Sequence, residues 1–171
     1  MTEWEKRLKF HEGLMLKPYY CSAHKLTIGV GHNTEAREFT QEEKKAIGDW
    51  KKGITENAAM MILRNDINIC LNDLKKLGFW YYLDEERKYA LLDMCFQMGY
   101  QNLLKFKKML ECIRTKDYPE AARQCLDSNY AIQTPIRAKR IAVLIKSAKW
   151  IENKEDLKGI KIWQLKTYMK Q

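Results

Sequence analysis

The pattern of apolar and polar residues at the N-terminus predicts a short helix over residues 2–12. Leu8 belongs to its apolar face, and Thr2 is a candidate N-cap. Gly13 is placed to end the helix in a left-handed conformation, since glycine adopts this conformation without steric cost. Glu12 therefore falls in the last helical turn.

The pattern changes to that of β-strands between residues 17 and 33. The run Leu26–Gly31 combines β-branched residues with glycines, as expected of a strand that leads into a turn. A tight turn is expected near Ala23-His24.

A helical period returns after residue 40 and continues to the end of the chain. Thr40 and Glu43 have the spacing of a capping box, and Thr55 opens a long amphipathic helix. Asp84 begins a helix that is apolar nearly all round, the pattern of a helix surrounded by others. Further helices are predicted at 102–114, 118–127, 135–149 and 155–169.

These elements predict an α+β fold in a single domain over residues 1–171. A small N-terminal lobe with a β-hairpin or sheet would span about 13–55. A connecting helix, about 55–78, would join it to a larger all-α C-terminal lobe made of about 79–171 together with 1–12.

The chain is basic, with 31 Lys and Arg against 22 Asp and Glu and a formal net charge of +9. This balance favours polyanionic partners, including nucleic acid, anionic lipid and bacterial wall polymers, although a solvated basic surface explains it equally well. The five cysteines are odd in number and contain no CxxC pair, so we expect reduced thiols, no zinc site and no cofactor. No stretch approaches the apolar length of a membrane span, and no stable membrane insertion is expected.

Two charged residues sit at helix ends where the helix dipole opposes them. Glu12 lies at a predicted C-terminus, which disfavours a carboxylate by roughly 0.3–1 kcal/mol. Arg137 lies in the first turn behind Thr134 and Pro135, which disfavours a cation by a similar amount. Local rules broken without visible gain are typical of functional sites.

The spacing Glu12, eight residues, Cys21, five residues, Thr27 resembles the catalytic pattern of the phage-type lysozymes of glycoside hydrolase family 24. The resemblance extends over about residues 5–150. It is carried by four segments: His11–Lys17, Leu26–His32, Leu92–Gly99 and Gln133–Arg140.

The resemblance implies a lysozyme-like fold and hydrolysis of the β-1,4 bond between N-acetylmuramic acid and N-acetylglucosamine in peptidoglycan. It implies that Glu12 protonates the glycosidic oxygen while Cys21 and Thr27 hold or activate water on the other face of the sugar, giving inversion. The T-even phage enzyme has Asp at the position of Cys21. A thiol is mostly neutral at pH 7 and is therefore a weaker base than a carboxylate.

The resemblance also implies a set of contacts around the cleft. Gln97, Tyr130, Gly31 and Asn33 are candidates for binding the glycan. Arg137 would pair with Glu12 and contact substrate. His32 and Asp66 would form a structural salt bridge between the hairpin and the long helix.

Two other functions remain open from the sequence. A lysozyme-like module could bind peptidoglycan with little or no cleavage, because Cys21 departs from the T-even pattern. A nucleic-acid-binding domain would suit the charge, but no recognised nucleic-acid motif is present and no nucleic-acid partner is expected. His24 near Cys21 suggests a cysteine protease, which nothing else in the sequence supports.

For a host-lysing enzyme of this family we expect a monomer that stays in the host cytoplasm before lysis and then acts at the periplasm and cell wall. A start without an apolar signal segment implies that a separate holin would be needed to reach the wall.

Overall fold

The computed structural model describes residues 1–21 and 24–161. It divides into two compact units, Met1–Ile69 and a second that begins at Cys70. This division groups residues 1–12 with the strands, whereas the sequence placed them with the helical lobe. The predicted turn at Ala23 and most of the predicted helix at 155–169 lie outside the described residues.

The described part of the first unit contains three strands, two complete helices and most of a third helix. Their bounds are α1 (Glu3–Glu12), β1 (Met15–Tyr20), β2 (Leu26–Gly29), β3 (His32–Asn33), α2 (Gln41–Ile47) and α3 (Glu56–Leu74), with a 3-10 turn at Trp50–Lys52. The last of these helices, α3, runs past the boundary between the units and ends four residues before the predicted position. The predicted α+β class is confirmed.

Side-chain caps fix the start of the first two helices. The Thr2 hydroxyl accepts a hydrogen bond from the Glu5 amide, and the Glu5 carboxylate accepts one from the Thr2 amide at 3.0 Å. Thr40 and Glu43 form the same reciprocal pair, as their spacing predicted. Gly13 ends α1 with a φ of 75° but a ψ of −177°, so the expected left-handed conformation is wrong in ψ. The extended ψ leads the chain directly into β1.

The three strands form one antiparallel sheet in the order β1-β2-β3. Thr27 lies opposite both Tyr19 on β1 and Asn33 on β3, while Ile28 lies opposite His32. Because side chains alternate along a strand, Ile28 and His32 point to one face and Thr27 to the other. Ile28 is fully buried in a cluster with Phe39, Ile47, Ile54, Ala58, Ala59 and Ile62. One face of the sheet is therefore core.

A buried charge cluster ties the segment after β3 to α2 and α3. The Arg37 guanidinium donates two hydrogen bonds of 2.8 Å to the Glu43 carboxylate and one of 2.5 Å to Asp66. Asn65 donates to Glu43 at 2.8 Å, and His32 Nδ1 lies 2.8 Å from Asp66. Each charge in the cluster has an opposite partner, which offsets the cost of burial.

We expect the free energy of unfolding to fall in acid through Glu43. Burial alone would raise the pKa of Glu43, but hydrogen bonds from Arg37, Asn65 and Thr40 lower it from 4.5 to about 2. The stabilisation is thus complete above the unfolded-state pKa and is lost between about pH 5 and 2, amounting to about 2–3 kcal/mol. Urea unfolding at several pH values should show a shallower acid dependence for Glu43→Gln than for the wild type. The exposed neighbour Glu42→Gln should keep the wild-type slope, and equal slopes for all three would contradict the assignment.

The second unit is helical throughout its described part. Its helices are α4 (Glu85–Met98), α5 (Tyr100–Leu103), α6 (Lys107–Arg114), α7 (Tyr118–Leu126), α8 (Asn129–Gln133) and α9 (Pro135–Ser147), with 3-10 turns at Trp80–Tyr82 and Lys154–Leu157. Seven consecutive residues of α4, Tyr89–Cys95, are buried, as its apolar pattern predicted. No helix among the described residues is long and apolar enough to cross a bilayer.

The structure of this unit differs from the sequence-based expectation in three places. The helix expected at 102–114 is two helices, because Phe106 adopts a ψ of 49° and interrupts the helical path. The short helix α8 was not predicted. Thr134 does not cap α9 through its side chain, since its hydroxyl donates to the Tyr130 carbonyl at 3.0 Å instead.

Candidate active site

The face of the sheet turned away from the core carries two rows of polar side chains. Tyr19, Thr27 and Asn33 form the first row, one residue from each strand. The pairing continues beyond the strand ends, since the Cys21 amide donates to the Lys25 carbonyl at 3.0 Å and Lys25 Nζ lies 2.9 Å from Glu35.

Cys21, Lys25 and Glu35 are therefore a second row on the same face, beside the first. The structure brings Cys21 and Thr27, predicted from a spacing of six residues, to adjacent rows. Thr27 is buried, and its hydroxyl donates to the Lys25 carbonyl at 2.9 Å.

Glu12 reaches the turn between β2 and β3 from the end of α1. A Cβ atom built on Gly31 would lie 3.0 Å from Oε2 of Glu12, so the carboxyl group rests directly against the backbone of Gly31. Burial raises the pKa of Tyr19, and the negative charges of Glu12 and Cys21 raise it further. Glu12 thus shares its surroundings with the first polar row.

Replacing Gly31 by alanine is expected to disturb the Glu12 carboxyl group. The new Cβ would displace that group by a few tenths of an ångström, and Gly31 has a φ of 69° that alanine adopts only under strain. We expect a loss of about 1–2 kcal/mol of unfolding free energy and a reduction of about 10-fold in kcat on cell walls.

Gly48→Ala is the matched control for this variant. Gly48 has a φ of 53°, but a Cβ added there would have no atom within 4 Å. It should therefore lose stability without losing activity per folded molecule. Equal kcat values for the two variants would show that the contact between Gly31 and Glu12 does not matter for activity.

The Asn33 side chain makes hydrogen bonds to the backbone of the turn after β3. Its Oδ1 accepts hydrogen bonds from the amides of Glu35 at 2.9 Å and Ala36 at 3.1 Å, which close the turn after β3. This turn holds Glu35 where it meets Lys25. The contact of Asn33 with glycan stays a prediction. The hydrogen bonds described here show that its side chain also stabilises the turn.

In the second unit, Gln97 and Tyr130 line one cavity of about 850 Å³. The buried Oε1 of Gln97 has no hydrogen-bond partner among the described residues. Lys105, Lys107 and Lys108 line the same cavity and make it electropositive. The cavity therefore offers an amide acceptor and cationic groups to a polar ligand. The roles of Gln97 and Tyr130 in glycan binding stay predictions.

Arg137 forms a buried ion pair within the second unit. Its Nε donates to Oδ1 of Asp93 at 2.5 Å, and the Tyr89 hydroxyl donates to the other carboxylate oxygen at 3.2 Å. Burial raises the pKa of Asp93, and the attraction of Arg137 opposes that shift. This partner was not predicted for Arg137, and the pairing of Arg137 with Glu12 remains a prediction from the resemblance.

Sequence reasoning missed several residues that the structure connects to these positions. Tyr19 could have been found, because it alternates with Cys21 along a predicted strand. Asp93 was visible as a lone acid in an apolar helix. The pairing of Lys25 with Glu35, and of Arg37 with Glu43 and Asp66, depends on strand register and helix packing that no local pattern fixes.

Comparisons with known proteins identify the family of this chain. Residues 9–146 match the sequence model of the family described as phage lysozyme. Two proteins of Dictyostelium discoideum are similar to most of the chain. "Probable T4-type lysozyme 2" is 32% identical over 149 residues, covering 78% of this chain and 88% of that protein. "Probable T4-type lysozyme 1" is 31% identical over 155 residues, covering 82% and 91%.

A third relative is much longer than this chain. The "Pre-baseplate central spike protein Gp5" of Enterobacteria phage T4 is 32% identical over 152 residues, which cover 81% of this chain and 26% of that protein. The residues that match the family model run from the last turn of α1 through the three strands to residue 146 in α9. The chain belongs to the phage lysozyme family.

Proposed function

We propose that this chain is a muramidase that hydrolyses the β-1,4 bond between N-acetylmuramic acid and N-acetylglucosamine in bacterial peptidoglycan. The observation that carries the proposal is the position of Glu12. Its carboxyl group rests against Gly31, beside the sheet face that holds Tyr19, Thr27 and Cys21. A proton donor and two groups able to orient water are thus held by one small unit.

In the proposed reaction Glu12 gives its proton to the glycosidic oxygen as the bond to the anomeric carbon breaks. Water attacks the opposite face of that carbon, so the configuration inverts, and the proton that this water loses passes to the solvent. The Thr27 hydroxyl hydrogen already points to the Lys25 carbonyl, which leaves the lone pairs of Thr27 Oγ1 to accept a hydrogen bond from water. Cys21 lies in the neighbouring row and takes the position of the second water-orienting group.

Product analysis tests this proposal. Purified peptidoglycan digested with the chain and then reduced with borohydride should yield muramitol ends, which mass spectrometry distinguishes from glucosaminitol ends. Proton NMR of unreduced fresh product should show the α anomer before mutarotation. Glucosaminitol or 1,6-anhydromuramic ends would disprove the assigned bond or reaction, and an initial β anomer would disprove inversion.

For biological context we propose that the chain lyses its host as a monomer, passing from the host cytoplasm to the wall through a membrane lesion made by a separate holin. The net charge of +9 supports binding to anionic wall polymers. Expression in a Gram-negative bacterium should leave cells intact until chloroform or a co-expressed holin opens the inner membrane. Lysis without either treatment would refute the dependence on a holin.

The alternative is a module that binds peptidoglycan with weak catalysis or none. Only Cys21 favours it, because a thiol at this position is a poorer base than the aspartate of the T-even pattern. Wall binding without release of reducing ends would support the alternative.

A further inference from the structure

Tyr19 lies near each of the three residues assigned to catalysis. It lies directly opposite Thr27 in the strand pairing, and it precedes Cys21 by two residues on the same face. Residues paired in this way have Cβ atoms roughly 4.5–5.5 Å apart. Tyr19 is half-buried, whereas its neighbour Tyr20 points to the other face and is 69% exposed.

Tyr19 is also within electrostatic reach of Glu12. Burial raises the pKa of the Tyr19 phenol, and the charges of Glu12 and of Cys21 raise it further, in that order. The phenol therefore keeps its hydrogen throughout the neutral range and can act as a hydrogen-bond donor. A neutral donor can hydrogen-bond to a carboxyl group or a thiol beside it and fix its orientation.

We propose that Tyr19 is a positioning residue of this site, whose phenol hydroxyl donates a hydrogen bond into the gap between Glu12 and Cys21. The inference rests on the proposed muramidase function. It adds a residue that does not itself react but orients the proton donor and the groups around the attacking water.

Two other hydrogen-bond donors in the two polar rows already have acceptors. Lys25 lies beside Cys21, but its ammonium group is held by Glu35 at 2.9 Å. The Thr27 hydroxyl donates to a backbone carbonyl. Tyr19 is thus the group in the two polar rows that combines a retained hydrogen, partial burial and proximity to both Glu12 and Cys21.

The proposal separates a positioning role from a purely structural one. A residue that orients the reacting groups affects kcat more than KM, whereas a residue that only supports the fold would lower stability without changing kcat per folded molecule.

Tyr19→Phe and its matched control Tyr20→Phe test this. For Tyr19→Phe we expect kcat on solubilised peptidoglycan to fall about 10-fold with little change in KM. Tyr20→Phe should keep the wild-type kcat and KM. Identical kcat values for the two variants, at equal melting temperature, would overturn the proposal.

A measurement independent of activity separates this proposal from the proposed function. In protein labelled with 13C at Cζ of tyrosine, the Tyr19 signal is identified by its loss in Tyr19→Phe. We expect this signal to shift in Glu12→Gln, because the proposal places the phenol beside the Glu12 carboxyl group, and to stay unchanged in Glu42→Gln. A Tyr19 signal that ignores the Glu12 substitution would overturn the proposal, whether or not the wild type cleaves peptidoglycan.

Discussion

Glu12→Gln is expected to lower kcat for peptidoglycan hydrolysis by about 10²–10⁴-fold, with KM and stability near the wild-type values. Glutamine keeps the shape of the side chain, so the contact with Gly31 is preserved, but an amide has no proton of suitable acidity to give to the leaving oxygen. Removing a charge from the C-terminal end of α1 also relieves an unfavourable dipole interaction. Clearing of chloroform-treated Gram-negative cells and release of reducing ends measure the effect.

The control is Glu42→Gln, which removes an exposed glutamate from the first turn of α2. It changes the net charge by the same amount, so any loss of wall affinity through charge alone should be equal in both variants. If Glu12→Gln and Glu42→Gln clear cells at the same rate, Glu12 is not the proton donor. If the wild type itself binds walls without releasing reducing ends, the non-catalytic binder is correct.

The elements that the sequence predicted well are those fixed by local chemistry. Thr2 and Thr40 mark their helix starts because each hydroxyl caps an amide three residues on, an interaction that lies within one turn. The strand region was recognised from alternation and glycines. The break at Phe106 was missed, since an apolar residue there continues the helical period although its backbone leaves the helix.

The residues of the site show the same difference between positions fixed by local sequence and positions fixed by packing. Cys21 and Thr27 could be placed together because they lie on one predicted hairpin. The position of Glu12 against Gly31 depends on how α1 packs beside the turn between β2 and β3, which the sequence supplied only through family resemblance. Asp93 as the partner of Arg137 joins residues 44 positions apart, and the charge of Arg137 at a helix start gave no indication of which acid it meets.

Among the substitutions considered, replacing Arg137 is expected to lower the free energy of unfolding the most. Arg137→Leu removes the cation whose Nε donates to the fully buried Asp93 carboxylate, which should lower the free energy of unfolding by about 3–5 kcal/mol. Adding Asp93→Leu should recover most of this loss, because replacing a whole buried pair by apolar residues of similar volume is often neutral or stabilising. Urea unfolding at pH 7 of the wild type, both single variants and the double variant gives the coupling energy directly.

The double variant also separates the two roles assigned to Arg137. If Arg137 only balances Asp93, the double variant should be folded and should digest walls at the wild-type rate per folded molecule. If Arg137 also pairs with Glu12, as the resemblance implies, the double variant should be stable but catalytically impaired, because the carboxylate that forms on Glu12 as its proton leaves has lost a stabilising cation. If the single variant Arg137→Leu loses less than about 1 kcal/mol of unfolding free energy, the buried pair itself is contradicted, since removing one partner of a buried pair is strongly destabilising.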